Sequence, residues 1–193
     1  MPRPSKKEER SEEILIAYEK CVAKYGVAGA TLQKVSDEAQ IARALLRHNI
    51  GNSDVLLEKA VARYCARSIE VFESHFEHLS KRGATLEDFV EGLFEKKTNL
   101  NEVMIASAFI ISAQESSFVR EKMHNWFKKV RKLFLDYFSS KCISNVSQEN
   151  IRAVADGIIA LYFNQESLTP LGSFTGFRKS SLLSAKLLLK QLQ

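Results

Sequence analysis

From Ile14 to Tyr25 the apolar residues Ile14, Leu15, Tyr18, Cys21, Val22 and Tyr25 recur at intervals of three and four, a single buried stripe. That spacing predicts a helix from about Ser5 to Tyr25, with Ser5 and Glu8 as a capping box and Gly26 as its end. A second, shorter stripe follows in Leu32, Val35, Ala39 and Ile41, opened by Thr31, whose side-chain oxygen can cap the first amides. The next segment, Ala42 to His48, sets Arg43, Arg47 and His48 among small or apolar residues, with Leu45 and Leu46 on the opposite face. Gly51 and Asn52 end it, and Asn52 or Ser53 caps a long helix to about Leu79.

Beyond residue 80 the same signals predict five more helices. Thr85 with Asp88 is a capping box for a helix to about Lys97, and another runs from about Asn101 to Ala113. Ser116 or Ser117 starts a long helix to about Ser139, and Ser147 caps one over Gln148 to Gln165. Pro170, Gly172 and Gly176 mark the last loop, before a final helix from about Phe177 to Leu192. This makes nine helices, with no strand pattern and no internal repeat. A chain of 193 residues with only 8 Gly and 3 Pro agrees with an all-α architecture. The length allows a small domain plus a medium one, and the expected boundary lies at the start of the fourth helix, giving 1–52 and 53–193.

Charge changes this picture little. The formal net charge of +5 permits nucleic acid as a partner, but residues 1–60 hold nearly as many acidic as basic side chains. An argument for DNA must therefore rest on placement. Two short helices around a tight turn, the second carrying Arg43 and Arg47 outward, form a helix-turn-helix suited to the DNA major groove. Cys21, Cys65 and Cys142 are odd in number and lie outside any metal-ligand spacing, which fits buried thiols in a reducing cytoplasm. The N-terminus lacks the apolar core of a secretory signal, and no apolar run approaches the ~20 residues of a membrane span. The expected location is cytoplasmic, with no membrane partner.

At this point the residues resemble the TetR family of bacterial transcriptional regulators. Thr31, Leu32, Val35, Ala39, Ile41, Leu46, Gly51, Asn52, Leu56 and Leu57 fall in register with its motif, and the resemblance is specific over about residues 10–60. Gln40 stands where the family favours Gly, Ala42 for Ser, Arg47 for Tyr, Asn49 for His, Ile50 for Phe and Ser53 for Lys. Arg47 can replace the phosphate contact of the Tyr, whereas Ser53 gives up a charge and keeps a hydroxyl and an amide. A non-Gly residue at position 40 is strained if its φ is positive, by roughly 1 kcal/mol.

The DNA-binding set implied is Thr31, Gln33, Ala42, Arg43, Ala44, Arg47, His48, Asn49 and Ser53. Arg43 is the candidate for a guanine edge; Thr31 and Gln33 are candidates for phosphate. The resemblance also implies a C-terminal domain that binds a small, largely apolar effector, for which Phe89, Phe94, Phe109, Gln114, Trp126 and Tyr162 are candidates. It further implies a homodimer built on the last two helices through Ile151, Val154, Ile158, Leu161, Leu183 and Leu187. The expected function is that of a ligand-responsive repressor released from a palindromic operator. The alternative is a helical small-molecule binding protein with weakened or lost DNA binding. His75 and His78 share a helix face but lack a third ligand, so no metal or other cofactor is expected. No nucleophile elbow, phosphate loop or paired-carboxylate constellation supports an enzyme.

Overall fold

The computed structural model describes residues 6–95, 98–142, 146–172 and 175–192. Among these, nine α-helices and two 3₁₀ turns make up the regular structure and no strand occurs: α1 (Lys6–Gly29), α2 (Leu32–Ala39), α3 (Arg43–Ile50), α4 (Ser53–Lys81), α5 (Leu86–Glu95), α6 (Leu100–Ser112), α7 (Ser117–Lys141), α8 (Gln148–Leu168) and α9 (Thr175–Leu189). The all-α class is as the sequence predicts.

Contacts group the chain into two compact units, one of residues 1–66 with 99–124, the other of 67–98 with 125–193. The division expected at 52/53 differs, because the start of α4, all of α6 and the start of α7 belong with the N-terminal helices. In the first unit α1 packs on α2, α3 and α6. Its core takes Ile14, Tyr18 and Val22 from α1, Leu32 and Val35 from α2, Leu46 and Ile50 from α3, and Leu56 and Val61 from α4. Each such side chain contributes about 1.5–3 kcal/mol by leaving water. Tyr64 of α4 meets Phe109 of α6 edge-to-face at 5.6 Å between ring centroids.

In the second unit the core is a stack of aromatic rings around Phe89. Phe76, Phe134, Tyr137 and Phe138 lie 5.3, 5.4, 5.4 and 5.8 Å from it between centroids. The Tyr137 hydroxyl finds a partner by donating to the Ala84 carbonyl at 3.1 Å. α9 packs on α5 and α8, and Lys186 of α9 pairs with Glu91 of α5. Arg131 of α7 holds Asp156 of α8 through two hydrogen bonds of 2.6 and 2.7 Å.

The helix starts follow the capping logic closely. The Thr85–Asp88 box forms in both directions, with the Asp88 amide donating to the Thr85 hydroxyl at 3.1 Å and the Thr85 amide to Asp88 at 2.8 Å. The Thr85 amide and hydroxyl, both donating to it, hold the Asp88 carboxyl below its ordinary range. Ser147 caps α8 through the Asn150 amide at 3.1 Å, and Asn52 caps α4 through the Val55 amide at 2.9 Å. Ser5 lies outside the described residues.

Helix ends depart more from expectation. Helical structure resumes beyond Gly26, whose φ of 70° kinks the chain, and continues to Gly29. Tyr25 is not part of the buried stripe; it is exposed, and the Lys34 ammonium sits 3.9 Å from its ring centre. α3 is shifted two residues C-terminal of the expected end, because Ile50 still reaches the core. Leu45, expected on the inward face, is exposed, since the stripe runs through Leu46 and Ile50 instead. Gly176 lies inside α9 rather than in a loop, and the chain tightens into a 3₁₀ turn at Lys190–Leu192.

Gln40 adopts the left-handed conformation, with φ 54° and ψ 40°. A β-carbon there is strained by roughly 1–2 kcal/mol, and a glycine would relieve this while loosening the unfolded chain. Gln40→Gly is therefore expected to raise stability by up to ~1 kcal/mol in urea denaturation; a loss of stability would show that the side chain has a compensating contact.

Candidate nucleic-acid interface

The turn between α2 and α3 is closed by the backbone and one hydroxyl. The Gln40 amide donates to the Asp37 carbonyl at 3.2 Å and the Ile41 amide to the Ser36 carbonyl at 3.1 Å. Buried Ser36 donates its hydroxyl to the Ile41 carbonyl, so three bonds fix the angle at which α3 leaves the turn. Thr31 stands at the α2 N-terminus in extended conformation and accepts a long bond of 3.4 Å from the Lys34 amide. Gln33 is exposed and braced along α2 by a 2.8 Å bond to Asp37.

α3 divides cleanly into two faces. Leu46 and Ile50 are buried, while Arg43, Ala44, Leu45, Arg47 and His48 are exposed. Arg43 and Arg47 are four residues apart, one helical turn, and so share a face. Neither has an ion-pair partner among the described residues, which leaves both guanidinium groups available. Ala42, at the N-cap, offers no side-chain bond to the first amides of α3. Asn49 is half-buried and donates its amide to the Leu45 carbonyl at 2.7 Å, which turns it back along the helix. Gly51, with φ 107°, ends α3, and Ser53 is exposed at the start of α4.

An ion-pair cluster outside any sequence motif holds α1 to the first half of α4. Arg63 donates to Glu12 at 2.8 Å and to buried Glu19 at 2.7 Å. The carboxylates raise the pKa of Arg63 still further, the Glu12 bond first. A signal was present in the sequence: Glu12 and Glu19 are seven residues apart on one helix, and Arg63 is a lone cation among Val61, Tyr64 and Cys65.

The candidate effector residues fall in both units. Phe109 and Gln114 belong to the first unit, where Phe109 packs on Tyr64 and Gln114 is exposed. In the second unit Phe89 is spent on the aromatic core. Phe94 packs edge-on to Tyr162 at 6.4 Å, and Trp126 to Phe163 at 5.9 Å. The Trp126 indole donates to Ser68 at 3.1 Å. Gln165, unnoticed in the sequence, is 6 % exposed on α8, and among the described residues neither its Nε2 nor its Oε1 has a hydrogen-bond partner. Nothing in periodicity separates such a glutamine from a surface one.

Of the stripe expected to face a second chain, Ile151, Val154 and Ile158 of α8 are buried within their own unit. Leu161 is half-buried, whereas Leu183 and Leu187 of α9 are 59 % and 52 % exposed. His75 lies beside the Phe76 and Phe89 rings and His78 is exposed. Among the described residues no three metal-type ligands converge and no helix is long and apolar enough to cross a membrane. Burial raises all three thiols, Cys65 to about 11, which disfavours the reactive thiolate.

The arrangement is that of the TetR-type helical regulators: the chain has their fold. A putative TetR-family transcriptional regulator from Mesorhizobium loti superposes with a TM-score of 0.77 at 12% identity, over 97% of this chain and 98% of that one. A TetR transcription regulator from Haloarcula marismortui gives 0.72 at 14%, over 95% and 98%. The transcriptional regulator FadR from Bacillus subtilis, solved with stearoyl-CoA, gives 0.63 at 14%, over 94% and 99%. No family model matches the chain, and no curated protein is similar to it in sequence.

Removing Arg63 would take from buried Glu19 the guanidinium that donates to it at 2.7 Å. Arg63→Met is expected to destabilise the first unit by about 3 kcal/mol, and adding Glu19→Gln should recover much of that loss. Urea titrations of the single and double variants read the difference; equal stability of Arg63→Met and wild type would remove the pair from the account.

Proposed function

We propose that this chain is a ligand-responsive, DNA-binding transcriptional regulator, a repressor released from a palindromic operator by a small, largely apolar effector. The observation that carries this reading is α3 itself. It is anchored by Leu46 and Ile50 and turns two unpaired arginines, Arg43 and Arg47, to solvent behind a rigid turn. Arg43, nearer the helix N-terminus, takes a base edge, where guanine accepts two of its hydrogen bonds. Ala44 is small enough to let the helix approach. Arg47 and His48 meet phosphate, with Thr31, Gln33, Ser53 and the uncapped amides after Ala42 adding neutral contacts. Asn49, committed to Leu45, contributes least.

One such helix covers only a few base pairs, so a twofold dimer is required to place two of them about 34–36 Å apart on one DNA face. Its interface uses the exposed apolar side of α9, with Leu183, Leu187 and Phe177, and Leu161 of α8. The effector binds in the second unit near Phe94, Trp126 and Tyr162. FadR with stearoyl-CoA supports an apolar ligand in this fold. The effector acts by population shift: it weakens DNA binding only by its difference in affinity between the two states. The proposed location is the cytoplasm, where such a regulator meets DNA.

Fluorescence anisotropy with DNA from immediately upstream of the coding region tests the reading, beside a scrambled fragment at two salt concentrations. Tight, salt-steep binding to the upstream fragment is expected. Arg43→Ala should cost ~1–3 kcal/mol of discrimination, while Arg47→Ala should weaken all fragments alike and flatten the salt slope by about 0.9 per lost phosphate contact. Intact binding in both variants would remove α3 from the interface. Equal, weak binding of both fragments by the wild type would favour the small-molecule binding protein without DNA affinity. Leu183→Glu with Leu187→Glu should convert a dimer to monomers in sedimentation, with folding unchanged by circular dichroism; a dimer that persists would place the interface elsewhere.

A further inference from the structure

Gln165 carries two polar atoms that the fold does not use. A carboxamide offers two donors on nitrogen and two acceptor sites on oxygen. Native chains rarely bury such a group with both atoms unpartnered, because its lost hydration is not replaced. Gln165 is 6 % exposed, and Nε2 and Oε1 are both without a hydrogen-bond partner among the described residues. One helical turn before it on α8 lies Tyr162, whose phenol is pushed up to about 12 by burial first and by Glu166 second. The phenol therefore stays neutral through the physiological range and can donate as well as accept. Tyr162 is flanked edge-on by Phe94 at 6.4 Å and by Phe163 at 5.4 Å.

The nearest charged groups are linked through Thr98. Glu166 accepts from the Thr98 hydroxyl at 2.7 Å, and Thr98 accepts in turn from Arg178 at 3.2 Å. A ligand carboxylate brought to Tyr162 would meet the Glu166 charge in a poorly hydrated place. An apolar hydrocarbon would leave the Gln165 amide as unsatisfied as before. We propose that Gln165, with Tyr162, recognises an uncharged, flat ligand that presents an N–H and a C=O side by side, as a lactam or cyclic amide does. Such an edge pairs with Nε2 and Oε1 together. The aromatic rings around Tyr162 accept the ligand's faces. This assignment rests on the reading of the second unit as the effector domain and narrows the effector from apolar to amide-bearing.

The test compares three compounds of similar shape on the full-length protein: 2-quinolinone, a lactam; naphthalene, which has no polar edge; and 2-naphthoate, which is charged. Calorimetric titration should show 2-quinolinone binding at least ~10-fold more tightly than the other two. At about ten times its dissociation constant it should raise Tm by roughly 3 °C or more. Gln165→Met keeps the side-chain length and removes both polar atoms. It should raise Tm in the absence of ligand and bind 2-quinolinone at least ~10-fold more weakly. Tyr162→Phe, which keeps the ring, should also weaken binding. Naphthalene binding as well as the lactam would overturn the amide assignment while leaving ligand binding intact. Unchanged lactam affinity in Gln165→Met, a lowered Tm in that variant, or no binding of any of the three to the wild type would each overturn it too. DNA binding by α3 is read separately by anisotropy, so these failures are distinguishable from failure of the regulator reading.

Discussion

An eight-residue helix is not stable alone in water, because nucleation outweighs the few hydrogen bonds it gains. α2 and α3 are both of that length. Each therefore exists because Leu32, Val35, Leu46 and Ile50 are taken into a core that α1 supplies. Everything on the outer face of α3 depends on that anchorage. The turn carbonyls held by Ser36, Gln40 and Ile41 fix how α3 departs, and Arg63 ties α1 to the start of α4. The exposed arginines are thus displayed from a surface whose rigidity comes from apolar burial and one buried ion pair.

The second unit solves its packing differently. Large rings pack around Phe89, with Phe134 and Phe138 edge-to-face and Phe76 and Tyr137 tilted, and the polar ends of Tyr137 and Trp126 are each given a partner. Against that thrift Gln165 stands out, since the same unit satisfies other buried polar groups and leaves this one open. A core that places nearly every donor makes an exception informative.

Helix existence and N-terminal caps were legible from the sequence because both are local. Thr85 with Asp88, Ser147 and Asn52 announce their helices within four residues. The helix-turn-helix was legible through spacing, and the strained Gln40 through its place in the turn. What was hidden is tertiary. A leucine-rich stripe looks the same whether it faces its own chain or another, so Ile151, Val154 and Ile158 read like Leu183 and Leu187 until burial separates them. The Arg63 cluster joins residues more than forty positions apart, and the first unit recruits α6 across a long stretch of sequence. The aromatic candidates could be found by type, but not sorted into core and periphery.

The exposed edge of α3 also sets an informational limit. From Arg43 to His48 the helix advances five residues, about 7.5 Å at ~1.5 Å each, which spans roughly two base-pair steps and so about three base pairs. With Asn49 folded back on Leu45, the edge gains no further reach. If α3 serves as proposed, at about two bits for a fully specified base pair one such helix reads at most on the order of six bits, and a pair about twelve. A surface of that size tells apart at most on the order of a few thousand sequences, and fewer with Arg47 and His48 on phosphate, so finer selectivity would have to come from how the DNA bends and how its backbone is spaced.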